Sequence, residues 1–218
     1  MVGGLFKMNL LVIKANNRPS DQAISSKMYD TFIEEVSKAS NLNVKTYDVF
    51  AEDTPVLGQE LFSGFAKLEA HEVPSETEQR LLDAKQKAMD LFSEADVIAF
   101  AFPLWNLTIP AKLQTFIDYI FSAGFTFNYA EDGSLIPLLP EKKIILLNAR
   151  GGVYSTPETA PMEMAVNYMK TTFAGVFGME IIEEVIIEGH NAQPDQAEKI
   201  ISQGLAEVKE AAKRLINS

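Results

Sequence analysis

Three short segments, each following a compact apolar run, hold the residues whose types and spacing could do chemistry. The first, Ala15–Ser26, is a polar stretch running into a helix start. Exposed amides and hydroxyls at a helix N-terminus can hold a phosphate monoester, so Asn17, Ala23, Ile24 and Ser25 form a candidate cradle, although serine and asparagine are also ordinary capping residues. The second, Phe102–Pro110, carries the only tryptophan of the chain between two prolines. A loop this apolar suits a flat aromatic ligand, with Leu104 and Trp105 alongside the ring and the backbone of Asn106 near its polar edge; a tryptophan in the core is the plain alternative. The third, Asn148–Tyr154, contains Gly151 and Gly152, where backbone could approach a ligand closely and paired amides could meet developing negative charge.

Composition removes other chemistries. The 218 residues include no cysteine and only His71 and His190, which excludes thiolate catalysis, disulfides and cysteine-held metal, and no metal site is expected. A net charge of −11 is wrong for neutralising phosphates along a nucleic acid. Neither G-x-G-x-x-G nor G-x-x-x-x-G-K occurs, which argues against a dinucleotide fingerprint and a P-loop. No run reaches the ~18 apolar residues of a membrane span, and the N-terminus lacks a signal-peptide pattern, so no membrane partner and a cytoplasmic location are expected.

The apolar runs that must position these segments are Asn9–Lys14, Val97–Ala101 and Lys143–Asn148, unbroken in the manner of strands buried on both faces. Asn43–Asp48 alternates and suits an edge, and Ile181–Ile187 makes a fifth strand. Helices are expected over 25–39, from a capping box at Ser75–Glu78, over 111–121, over 162–177 and over 195–215. Interleaved strands and helices predict a doubly wound α/β domain, a five-stranded parallel sheet with helices on both faces, whose ligands bind beyond the carboxyl ends of the strands. A single domain over 8–218 is expected, with residues 1–7 as an N-terminal extension. Two stretches exceed simple connections: 49–74, and 124–139 with Asp132-Gly133 as a hairpin turn. Their aromatic residues, Phe62 and Phe65 with Leu68 in one and Phe125, Phe127 and Tyr129 in the other, suggest a homodimer with the active site at its interface.

Pro103-Leu-Trp-Asn106, Ala149-Arg-Gly-Gly152 and Glu188-Gly-His-Asn191, in this order and at these strand ends, resemble the FMN-dependent NADH-azoreductase and NADH:quinone oxidoreductase family of the flavodoxin-like superfamily. The resemblance runs from Met8 to the C-terminus. It implies a flavodoxin-like fold, FMN as cofactor, NADH as donor, and quinone, azo or nitroaromatic acceptors. By position, Asn17, Ala23, Ile24 and Ser25 would hold the FMN phosphate, Pro103, Leu104, Trp105 and Asn106 would wrap the isoalloxazine, and Ala149, Arg150, Gly151 and Gly152 would contact its pyrimidine side beside Tyr154. Ala23 stands where the family commonly has serine. His190 is the candidate proton donor. The alternative is a non-catalytic flavodoxin-type FMN electron carrier, against which stand the chain's length and its aromatic insertions.

Overall fold

The computed structural model describes residues 7–218, so all but Lys7 of the expected 1–7 extension lies outside the described residues. Five parallel strands form one sheet: β1 (Met8–Lys14), β2 (Leu42–Asp48), β3 (Val97–Pro103), β6 (Lys143–Arg150) and β7 (Glu180–Glu188), in the order β2-β1-β3-β6-β7. β4 (Phe127–Tyr129) and β5 (Leu135–Pro137) pair as a separate antiparallel hairpin. Its turn places Gly133 at φ 82°, while Asp132 Oδ1 accepts from the Ser134 amide, as the Asp-Gly pair predicts.

Strand alternation divides the core into two layers. Leu11, Ile13, Ile98, Phe100, Phe102, Ile144 and Leu146 face one side, covered by α3 (Glu76–Glu94), α4 (Ala111–Ile120) and α5 (Ala165–Lys170). Leu10, Val12, Ala99, Ala101, Ile145, Leu147 and Ala149 face the other, under α1 (Ile24–Val36) and α6 (Ala197–Ile216). All seven residues of β3 are buried, which is why its sequence shows no period. Chain order reverses between β1 and β3, since β2 lies outside β1 and the chain then crosses to the other side. Such a switch point opens a crevice beyond the strand ends. None of the described helices is long and apolar enough to cross a membrane.

Two helical expectations are corrected. The stretch 49–74 holds a further helix, α2 (Gln59–Glu69). Leu61 is buried and Gly64 lies close against Leu82, while Phe62, Phe65 and Leu68 are exposed, so apolar residues occupy both sides and blur the helical period. The single helix expected over 162–177 is three pieces: a 3-10 turn at Ala160–Met162, α5, and a π-helical turn at Thr171–Val176. Of the aromatic residues expected to be exposed in 124–139, only Tyr129 is; Phe127 is buried and Phe125 packs against the core beside Phe92.

Candidate functional site

A crevice of 510 Å³ opens at the carboxyl ends of β1, β3 and β6, lined from the three segments singled out above. Its first wall is the start of α1. Ala23 holds the extended N-cap conformation without a side chain able to cap, so the helix presents its first-turn amides to the crevice rather than to a capping oxygen. Asn16, buried, donates from Nδ2 to Ser25 Oγ at 2.9 Å, and its Oδ1 accepts from the Arg18 amide at 2.9 Å. Ser25 therefore acts as an acceptor toward the protein and keeps its own proton for a ligand, whereas Ser26 commits its proton to Arg18 O at 2.7 Å. Arg18 and Lys27 line the same end against one carboxylate, Asp21, a local reversal of sign in a chain of net charge −11. Asn17 is exposed and does not line the crevice; the inward asparagine is Asn16. Two adjacent asparagines beyond a strand end give no period by which to choose between them.

The second wall is the loop after β3. Trp105 and Thr108 exchange two backbone hydrogen bonds of 2.9 and 3.1 Å around Asn106 and Leu107, whose φ values are 50° and 71°. Consecutive left-handed residues make a tight reversal that would normally favour glycine or asparagine, and leucine there stores strain. Pro103, Leu104 and Trp105 line the crevice. Asn106 instead lines an adjoining pocket of 480 Å³ with Phe50, Ile109 and Lys112, which Trp105 also borders. The Trp105 ring is braced by the edge of Phe50 at 6.2 Å.

The third wall is the Gly151 loop. The Gly151 carbonyl accepts from the amides of Asn191 (3.0 Å) and Ala192 (3.1 Å), and the Gly189 amide is shared by the carbonyls of Arg150 and Gly152, both at 3.1 Å. In a trans peptide the N–H lies opposite the carbonyl, so the amides of Gly151, Gly152 and Val153 point away from the 189–192 segment and are not spent on it. Ala149 and Gly151 line the crevice. The absence of a side chain at Gly151 has another cause than ligand approach: a Cβ there would lie 2.3 Å from Asn191 Nδ2. At Gly152 it would lie 3.0 Å from the Tyr154 ring, which folds back over the glycine and over the Arg150 guanidinium at 5.8 Å.

Arg150 and Tyr154 accordingly do not line the crevice. The Arg150 side chain, 6% exposed, points into an ionic cluster: its Nε donates to Glu188 Oε2 at 2.9 Å and its Nη1 lies 3.6 Å from Glu163 Oε1. Burial pushes the Glu188 carboxyl up, but the Ser155 hydroxyl, the Tyr154 amide and Arg150 together outweigh it and hold the group below the usual carboxylate range. His190 does line the crevice; its Nδ1 is buried with no hydrogen-bond partner, and burial lowers its pKa, which keeps the ring neutral at pH 7. Asn191, in the Glu188-Gly-His-Asn191 motif, completes the wall with Ala197 and Ile201, which were not anticipated because the start of α6 gives no motif by which a ligand contact could be read.

The flavodoxin-like fold family matches residues 8–212. The chain is 44% identical to FMN-dependent NADH:quinone oxidoreductase 3 of Bacillus cereus over 206 residues, covering 94% of this chain and 98% of that one. It is likewise 44% identical to FMN-dependent NADH:quinone oxidoreductase 2 of Halalkalibacterium halodurans over 204 residues, covering 93% and 97%. Among solved structures, an azoreductase from Bacillus anthracis superposes with a TM-score of 0.86 at 44% identity, covering 95% of this chain and 99% of that one. With fold order, crevice and matched length in agreement, the chain belongs to the FMN-dependent NADH:quinone oxidoreductase and azoreductase family of the flavodoxin-like fold.

Proposed function

We infer that this protein is an FMN-dependent enzyme that uses NADH to reduce quinones and aromatic azo compounds. The observation that carries the reading is one crevice with an anion-ready end and a flat apolar end. The uncapped start of α1, the free proton of Ser25 and the cations Arg18 and Lys27 suit the FMN phosphate. Pro103, Leu104 and Trp105 suit the isoalloxazine, and the amides of the Gly151 loop suit its pyrimidine edge. The unpartnered Nδ1 of His190 accords with the fit, since a buried polar atom of a crevice wall left without a protein partner is open to a ligand or an ordered water.

FMN held in this crevice would supply the redox chemistry, two-electron transfer from nicotinamide to acceptor. The chain's own contributions are orientation and electrostatics. The Gly151 amide, which points away from the 189–192 segment at the crevice wall, provides a preorganised donor for negative charge at the pyrimidine edge. Trp105, braced by Phe50, keeps one side of the crevice flat and dry. Neutral His190 offers a single N–H and one lone pair for hydrogen bonding; as a proton donor it would act through the imidazolium, a form that burial makes scarcer. The 480 Å³ pocket beside Trp105 is the proposed seat of the acceptor ring, nitroaromatic acceptors included.

The proposed working unit is a homodimer in the cytoplasm. Phe62, Phe65, Leu68, Tyr129, Leu135 and Ile136 are exposed, and an apolar surface of this kind supports association. The function is tested by the visible spectrum of the purified protein: it should be yellow, bleach with NADH alone, and regain colour on adding a quinone. A colourless protein that rejects FMN would overturn the reading.

A further inference from the structure

Two crevice walls, the Trp105 loop and the Gly151 loop, meet at their bases, where the Leu104 amide donates to Ala149 O at 2.9 Å. They are also joined further out, through two consecutive residues at the start of α5. Met164 donates its amide to Leu107 O at 2.9 Å, holding the strained reversal of the Trp105 loop. Glu163 faces Arg150 at 3.6 Å, both side chains only 6% exposed, and Arg150 in turn holds Glu188, which accepts from Tyr154 N and the Ser155 hydroxyl at the end of the Gly151 loop. Glu163 is itself fixed, since its carboxylate accepts from the amides of Ala165 (3.1 Å), Val166 (2.9 Å) and Asn167 (3.2 Å).

We propose that Glu163 is a positioning residue for the flavin ring: with Met164 it clasps the Trp105 and Gly151 loops together and sets the gap between them. The inference rests on the FMN reading above. A carboxylate is needed because one group must satisfy three helix amides and face a buried guanidinium at once; without it Arg150 would keep Glu188 on its Nε side only, and its buried Nη1 end would swing away or draw in water. Left-handed Leu107 has no intrinsic reason to stay where it is, so its carbonyl needs the Met164 amide as a fixed donor. Neither contact reaches the phosphate end, which Asn16 and Ser25 organise separately. Loss of the clasp should therefore weaken ring binding and leave phosphate binding intact.

The test titrates the full chain, freed of flavin, with FMN and with riboflavin, which lacks the phosphate, reading flavin fluorescence, visible circular dichroism and Tm. Glu163→Ala should raise the dissociation constants of both flavins by the same factor, about tenfold or more, as expected for losing a buried charge-assisted contact. The visible dichroism of bound FMN should change with it. Glu163→Gln, which keeps the shape and one acceptor, should show the same pattern at a smaller factor, and it carries the test if the alanine variant does not fold. Ser25→Ala should weaken FMN and leave riboflavin unchanged. A Glu163 variant with lowered Tm but unaltered affinities and dichroism would make the residue merely structural and overturn the proposal, as would a loss confined to FMN. A wild-type chain that binds neither flavin would overturn the FMN reading itself.

Discussion

Asn191 folds its side chain into the space that a side chain at residue 151 would need, with Nδ2 only 2.3 Å from where a Cβ on Gly151 would stand. The Asn191 backbone cannot retreat freely, because its amide donates to Gly151 O at 3.0 Å. Gly151→Ala should therefore destabilise the protein by about 1–3 kcal/mol, the usual cost of overpacking. Asn191→Ala should restore most of that loss in the double variant. Thermal unfolding of the four proteins measures the coupling; additive effects would show that the two side-chain positions do not compete.

Donor and acceptor must each face the same flavin ring, so NADH and a quinone should compete for one side of it. Double-reciprocal plots against NADH at several quinone concentrations should be parallel lines. Intersecting lines would indicate that both substrates bind together, with the pocket beside Trp105 remaining accessible while NADH is bound.

His190 has a pKa lowered by burial from 6.5, so between its folded value and 6.5 the unfolded chain binds more protons. Stability of the flavin-free protein should rise with pH across that window and be lower on its acid side. His190→Gln should flatten this part of the profile, with a Tm difference from wild type that varies between pH 5 and 7. An identical pH profile for the two proteins would place the imidazole in water.

Glu78 closes the capping box of α3 and also accepts from Lys67 at 2.7 Å and Ser63 at 2.7 Å. The Lys67 ammonium first, then the Ser75 amide and the Ser63 hydroxyl, hold its carboxyl at about 2 instead of 4.5. A depressed carboxylate contributes stability above its unfolded pKa and loses it as pH falls through the folded one. Glu78→Gln should lower Tm at pH 7, and the gap should close as pH falls from 4.5 toward 2.

Light scattering should report the mass of two chains, and specific activity should fall on dilution where that dimer dissociates. Phe65→Lys on α2 should weaken the association without lowering Tm at high dilution. A fully active monomer would leave the exposed faces of α2 and the β4–β5 hairpin unconnected with catalysis.

The sheet was legible because its three central strands are unbroken apolar runs and its first edge strand alternates, and Ser75–Glu78 announced α3 through its capping chemistry. What sequence could not resolve were choices between near neighbours and the direction of side chains. Asn16 and Asn17 are equivalent on paper, yet only Asn16 turns inward to Ser25. Arg150 reads as a crevice residue because it sits in the Ala149-Arg-Gly-Gly152 motif. Strand alternation and the carboxylates of Glu163 and Glu188, 13 and 38 positions away, take its side chain elsewhere. Glu163 had no motif at all, since its importance comes from a tertiary meeting of two loops.

Ala23 is the position a protein engineer would choose first when seeking a more stable variant, since aspartate at an uncapped helix start commonly adds about 1 kcal/mol. Its carboxylate would occupy the donors that α1 otherwise keeps open and set a negative charge at the mouth of an anion cradle. Screens that select for heat resistance in the absence of flavin would thus favour proteins that hold the flavin less well, whereas screens run with flavin present would favour the native alanine.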